Sequence, residues 1–188
     1  MDYINTNLGF YDNKIVVEDT GSVWNSVEVM MDWEHPMMSS SAAYVTEGGG
    51  DILEIGFGMG ISAGYIHSHS IDSHIIVENH PQIIPKAVEW ASNKSNVTII
   101  SQSWYDVKDS LGTFDGIFYD TFADNSDQFS SSLSNWTKSG TKVTFWNNNE
   151  NESNHLNIPN CTYELINVNP PENNYFYSTT YYLPKKEF

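Results

Sequence analysis

From residue 51 onward, short apolar runs alternate with segments of helical character. DILEIG (51–56) predicts a buried strand, then a glycine-rich turn and a helix from about Met59 to Ser68. HIIVE (74–78) is a second strand, and Pro81 opens a helix running to about Ser92. VTIIS (97–101) is a third, with a helical turn around Trp104–Leu111, and FDGIFYD (114–120) a fourth, with a helix from about Asp127 to Thr137. TKVTFW (141–146) is the fifth. Strands that alternate with helical segments form right-handed βαβ units on a parallel sheet.

Two regions break this rhythm. Residues 147–160 are polar and Asn-rich, which predicts a loop; YELINVN (163–169) and YFYSTTYYL (175–183) then read as an antiparallel pair closing the sheet. At the other end, residues 1–22 are polar, marked by Gly9 and Gly21, and without an evident anchoring apolar pattern. They predict an arm or lid ahead of a domain spanning 23–188. A helix is expected from about Val23 to Asp32, and another after Pro36 through Met37, Ala42 and Val45, ended by the glycines at 48–50. The expected fold class is α/β: a mostly parallel seven-stranded sheet with a C-terminal antiparallel hairpin.

Composition narrows the function classes. With 188 residues, 39% of them hydrophobic and 14% aromatic, the chain builds one folded domain. Its net charge is −16, and all eight basic residues are Lys. That field repels nucleic-acid backbones, and without Arg there is no bidentate clamp for a carboxylate or phosphate; a cationic ligand is favoured instead. The lone Cys161 gives neither an intramolecular disulfide nor a Cys-rich zinc site. His67, His69, His74 and His80 lack a ligand-like spacing, so no metal is expected. No apolar run reaches bilayer length, so no membrane partner is expected. The first residues show neither the basic flank nor the apolar stretch of an export signal, so the cytoplasm is the expected compartment.

The chemistry is carried by Glu54-Ile-Gly-Phe-Gly-Met-Gly60, directly after a strand and opening a helix. Gly56 and Gly58 let the backbone approach a ligand at the strand's C-terminal end, where open α/β sheets bind their ligands. A dinucleotide fingerprint needs Gly or Ala at position 61, where Ile61 stands, which disfavours an oxidoreductase. Glu54 suits the acid that holds the cationic methionyl part of S-adenosylmethionine. Glu78 ends the second strand, where a carboxylate accepts hydrogen bonds from ribose hydroxyls.

A closer match accompanies these residues. VMMDWEHPMM (29–38), GGDILEIGFGMGISA (49–63), IIVEN (75–79), SWYDV (103–107), FDGIFYDTF (114–122) and the tail VNPPENNYFYSTTYYL (168–183) resemble guanidinoacetate N-methyltransferase and the related arginine N-methyltransferases. The resemblance implies a Rossmann-like class I methyltransferase that uses S-adenosyl-L-methionine and releases S-adenosyl-L-homocysteine. It puts Met30, Glu54, Gly56, Phe57, Gly58, Met59, Gly60, Glu78, Asn79, Ser103, Trp104 and Asp120 at the cofactor. It assigns Glu34 and Asp120 to the guanidinium, and Asn148 and Asn149 to the place where the family's backbone holds the substrate's carboxylate. The stretch after the fifth strand is shorter than the family's, and the N-terminal arm shares little with it.

Two carboxylates flanking a guanidinium satisfy its fork of N–H donors, and one of them can take the proton released as the nitrogen is methylated. Asp120, at a strand end facing the cofactor, is the expected base, and Glu34 its orienting partner. Each also admits a plainer role, Glu34 as a helix-start acid and Asp120 as a turn cap. The expected acceptor is a small guanidino or amine compound. A different small amine, an arginine side chain, and a cofactor-binding homologue without activity remain open, as does a monomer or a dimer.

Overall fold

The alternation from residue 51 folds as the pattern predicts. A computed structural model describes residues 3–19, 21, 23, 25–124 and 128–188. Among these, the sheet-forming half runs β4 (Asp51–Ile55), α2 (Ile61–His67), β5 (Ser73–Val77), α3 (Ile84–Ala91), β6 (Val97–Ile100), α4 (Trp104–Val107), β7 (Phe114–Tyr119), α5 (Phe129–Trp136), β8 (Thr137–Phe145), β9 (Thr162–Asn167) and β10 (Thr180–Glu187). It follows β1 (Leu8–Tyr11), β2 (Lys14–Val17), β3 (Glu28–Met31) and α1 (His35–Val45). The large sheet is ordered β6-β5-β4-β7-β8-β10-β9. The five strands from β6 to β8 are parallel, and β10 runs antiparallel to both β8 and β9.

Strand alternation divides the core. On β4, Ile52 joins Met37, Met38, Ala42 and Val45 of α1, while Leu53 and Ile55 face Phe129, Leu133 and Trp136 of α5. On β7, Phe118 goes with the first cluster and Ile117 with the second. Burying such a side chain contributes about 1.5–3 kcal/mol, so both faces of β4 and β7 are fastened and their C-terminal ends are fixed in space.

Five segments depart from the pattern. Residues 28–31, expected as helix, form β3, which pairs antiparallel with β2. Ser26 just before it takes φ 65°, and its amide donates to the Val17 carbonyl at 2.8 Å, so a helix cannot run through that point. The helix after Pro81 begins at Ile84, and the one expected from Asp127, which lies outside the described residues, is seen from Phe129. The last strand starts at Thr180, not Tyr175, because Asn173 Oδ1 accepts the amides of Tyr175 and Phe176 at 2.9 and 2.8 Å and turns the chain there.

The fifth departure concerns the arm. Leu8, Ile15 and Val17 of the β1–β2 hairpin are buried in a cluster with Phe57, Ile76, Ile83 and Ala87. The Leu8 amide also donates to Gln82 Oε1 at 2.8 Å. The anchoring residues alternate along two short strands, a pattern hidden by the polar residues between them.

Candidate active site

The C-terminal ends of β4, β5 and β7 open on a cavity of about 370 Å³. Its floor is the turn after β4. Gly56 has φ 94°, and a Cβ there would overlap the Asp120 carbonyl oxygen; Gly58 has φ 54°, and its Cβ would press into Met30 Sδ. Only glycine lets the strands close to this degree around a positive φ. The Met59 amide donates to Met30 Sδ at 3.2 Å, which ties β3 to the turn.

Glu78, one residue past β5, is buried. Its Oε2 accepts the Phe57 amide at 2.9 Å, and its Oε1 accepts those of Asn79 and His80 at 2.8 and 2.7 Å. Burial raises its pKa, and these backbone donors oppose the rise. Trp104 forms a wall: its indole N–H donates to Asp124 Oδ2 at 2.6 Å, and the Tyr119 hydroxyl donates to Asp124 Oδ1 at 2.6 Å.

At the far side stand Glu34 and Asp120. Glu34 lies in the 3-10 turn Asp32–Glu34 between β3 and α1, so the helix-start position and the cavity-facing one coincide. Its Oε1 accepts the Met31 amide at 2.7 Å and the Tyr175 hydroxyl at 2.6 Å. Asp120 follows β7, and its amide donates to the Ile55 carbonyl at 2.9 Å. Among the described residues its carboxylate takes no hydrogen bond. Both carboxyls sit above the ordinary carboxylate range. Burial is the main cause for each; the Asp120 charge adds to it for Glu34, and the charges of Glu54 and Asp124 add to it for Asp120.

Of the residues singled out in the sequence, Met30, Glu34, Gly56, Phe57, Gly58, Glu78, Asn79, Trp104, Asp120 and Asn148 line this cavity. Met59, Gly60, Ser103 and Asn149 do not. Gly60 holds φ 74° at the start of α2, and Ser103 precedes α4, so both shape the wall from behind. Glu54 is fully buried and turned away: Ser62 Oγ donates to its Oε1, and His74 Nε2 lies 2.9 Å from its Oε2, off the line of a hydrogen bond. A fully buried acid closed in by a serine and a histidine has no carboxylate edge on the cavity.

Several lining residues escaped the sequence reading. Tyr175 belongs to the aromatic run taken as strand. Asp124 and His155 lie in loops without a local signature, whereas Tyr3 sits in the arm.

Residues 18–145 match the family described as guanidinoacetate N-methyltransferase. Protein arginine N-methyltransferase 2 of Kluyveromyces lactis is 36% identical over 134 residues, covering 65% of this chain and 31% of that protein. The protein of the same name from Aspergillus oryzae is 35% identical over 134 residues, covering 68% of this chain and 31% of that one. The chain thus spans about a third of the length of the curated relatives it matches. Two solved structures share its fold at low identity. The N-methyltransferase NodS from Bradyrhizobium japonicum has a TM-score of 0.61 at 13% identity, covering 81% of this chain and 94% of that one. Spermidine synthase from Thermotoga maritima has a TM-score of 0.62 at 13% identity, covering 96% and 72%. With a Rossmann-like class I methyltransferase fold and a family match over most of its length, the chain belongs to the guanidinoacetate N-methyltransferase family, whose methyl donor is S-adenosylmethionine.

Proposed function

We propose that this chain is an S-adenosylmethionine-dependent N-methyltransferase acting on a guanidino nitrogen. The observation that carries the reading is the pair Glu34, buried, and Asp120, half-buried, two carboxyls from distant parts of the chain that open on one cavity.

The donor set suits S-adenosylmethionine. The side-chain-free backbone at Gly56 and Gly58, the Trp104 face and the Glu78 carboxylate, already oriented by three amides, offer a plane for an aromatic base and an acceptor for hydroxyls. Residues Met30, Phe57 and Asn79 complete this half of the cavity. The bound donor supplies an electrophilic methyl group.

The chain's own groups do the rest. Glu34, fixed by Met31 and Tyr175, accepts N–H bonds from one edge of the guanidinium and sets its plane. The Asp120 carboxylate accepts from another edge. A guanidinium nitrogen is a poor nucleophile because its lone pair is delocalised, and it must shed a proton as it gains carbon. A carboxyl raised by burial is a better proton acceptor near neutrality than an ordinary Asp. Asp120 takes that proton, and the methylated product keeps its single positive charge.

A second reading, an arginine side chain in a protein as acceptor, is favoured by the names of the relatives. The test is methyl transfer from labelled S-adenosylmethionine to a panel of guanidines and simple amines. Labelling confined to amines, or none at all, sinks the guanidine reading.

A further inference from the structure

Electrostatics across the cavity says what the acceptor's tail carries. Glu34, Glu78, Asp120 and Asp124 all line it, and among the described residues none of them is bridged to a Lys or His. Glu28, also on the wall, has Lys14 at 3.4 Å. None of the chain's eight Lys is a lining residue, and the chain has no Arg.

The place where a carboxylate tail would be received is spent as well. After β8, the Asn147 amide donates to the Tyr181 hydroxyl at 2.8 Å, that of Asn149 to Asn147 Oδ1 at 3.2 Å, and that of Asn148 to His155 Nδ1 at 3.5 Å. Asn148 Oδ1 accepts the Trp146 indole N–H at 2.6 Å. Burial pushes the His155 imidazole down, so it stands neutral on the wall at pH 7. What remains for a tail are uncharged amides, such as those of Asn148 and Gln102. A carboxylate brought here would lose its water without gaining a cation, and would face like charges in a partly closed space.

We infer that the acceptor is an alkylguanidine whose tail bears no carboxylate and is neutral or cationic. The inference rests on the guanidine reading above. This chemistry has two sources, a small aminoalkyl or amide-bearing guanidine and an arginine side chain within a peptide.

Matched acceptors test it on the chain as it stands: guanidinoacetate, its primary amide, 2-aminoethylguanidine, and a short arginine peptide with both termini blocked. The amide and the aminoethyl compound are expected to exceed the acid at least tenfold in kcat/KM. A peptide that outruns both assigns the peptide source; the reverse order assigns the small one. An acid equal to or better than its amide overturns the inference and leaves the methyltransferase reading intact. Failure of every guanidine, with S-adenosylhomocysteine still bound, overturns the reading itself. Asn148→Lys adds a cation at the proposed tail position and is expected to narrow the amide-to-acid ratio severalfold. An unchanged ratio in that variant puts the tail elsewhere and overturns the assignment.

Discussion

Tyr175 donates its hydroxyl hydrogen to Glu34 Oε1 at 2.6 Å, joining the aromatic loop before the last strand to the turn before α1 across 141 positions of sequence. The bond has a partner in the Met31 amide, so Glu34 is held from two directions. Tyr175→Phe removes one donor and leaves the ring. A hydrogen bond to a charged group is worth about 1.5–3 kcal/mol. The variant is therefore expected to raise the KM for a guanidine roughly 10-fold or more, with a smaller change in kcat. A fall in kcat at constant KM would mean that Tyr175 acts in the chemical step and does not position Glu34.

Asp120 and Glu34 are assigned different tasks, and amide substitutions separate them. Asp120→Asn keeps the shape but removes the proton acceptor, and turnover is expected to drop by roughly 10²–10⁴-fold. Glu34→Gln is expected chiefly to weaken acceptor binding, since its charge serves ground state and transition state alike. In both variants, calorimetry should show S-adenosylhomocysteine binding close to wild type. Full turnover in Asp120→Asn on the best guanidine would remove it as the base.

Much of this site was legible because its parts sit where strand ends meet glycines. Gly56, Gly58, Glu78 and Asp120 are each within three residues of the end of a strand whose apolar run is plain in the sequence, so their shared position follows from parallel topology alone. What stayed hidden depends on tertiary satisfaction. Glu54 reads as a ligand-facing acid, yet Ser62 of the following helix and His74 of the neighbouring strand enclose it. Tyr175 reads as strand, yet the Asn173 side chain captures its amide. Helical spacing around Val29 and Met30 was overridden by Ser26 and by pairing with β2.

The raised carboxyls also set how stability depends on pH. Without a cationic ligand between them, burial keeps Glu34 and Asp120 protonated in the folded chain at a pH where the unfolded chain has released those protons. The folded state then binds more protons, so stability is greatest near the ordinary carboxylate range and falls as pH rises toward the raised native values. The double variant Glu34→Gln, Asp120→Asn should flatten this slope, melting higher than wild type at pH 8 and no higher at pH 5. Parallel melting curves across that range would show that the two carboxyls titrate normally.

Glu78 combines two duties, and its loss should expose both. Glu78→Ala strips the acceptor from the amides of Phe57, Asn79 and His80, loosening the turn that floors the cavity. Binding of S-adenosylhomocysteine is expected to weaken by about 1.5–3 kcal/mol, together with a lower melting temperature. Unchanged affinity by calorimetry would take Glu78 out of the cofactor site.

The N-terminal arm is proposed to act as a lid, and its packing says which part of it responds to ligands. Leu8, Ile15 and Val17 are buried against Phe57, Ile76 and Ile83, so the β1–β2 hairpin is held by the domain itself. The 3-10 turn Tyr3–Asn5 is different. Tyr3 lines the cavity, with its ring 4.8 Å from that of His80 and 4.9 Å from that of Phe122, so a ligand in the cavity bears directly on it. Hydrogen exchange without ligand should show the hairpin amides already protected, as expected for a strand pair fastened by apolar contacts. On addition of S-adenosylhomocysteine, protection should rise in the Tyr3–Thr6 turn, where Thr6 donates its amide to the Tyr3 carbonyl at 2.8 Å. The hairpin should change little. Equal protection of the turn in both states would remove the arm from the site, whereas a hairpin that gains protection only with ligand would show that its apolar anchor does not hold it alone.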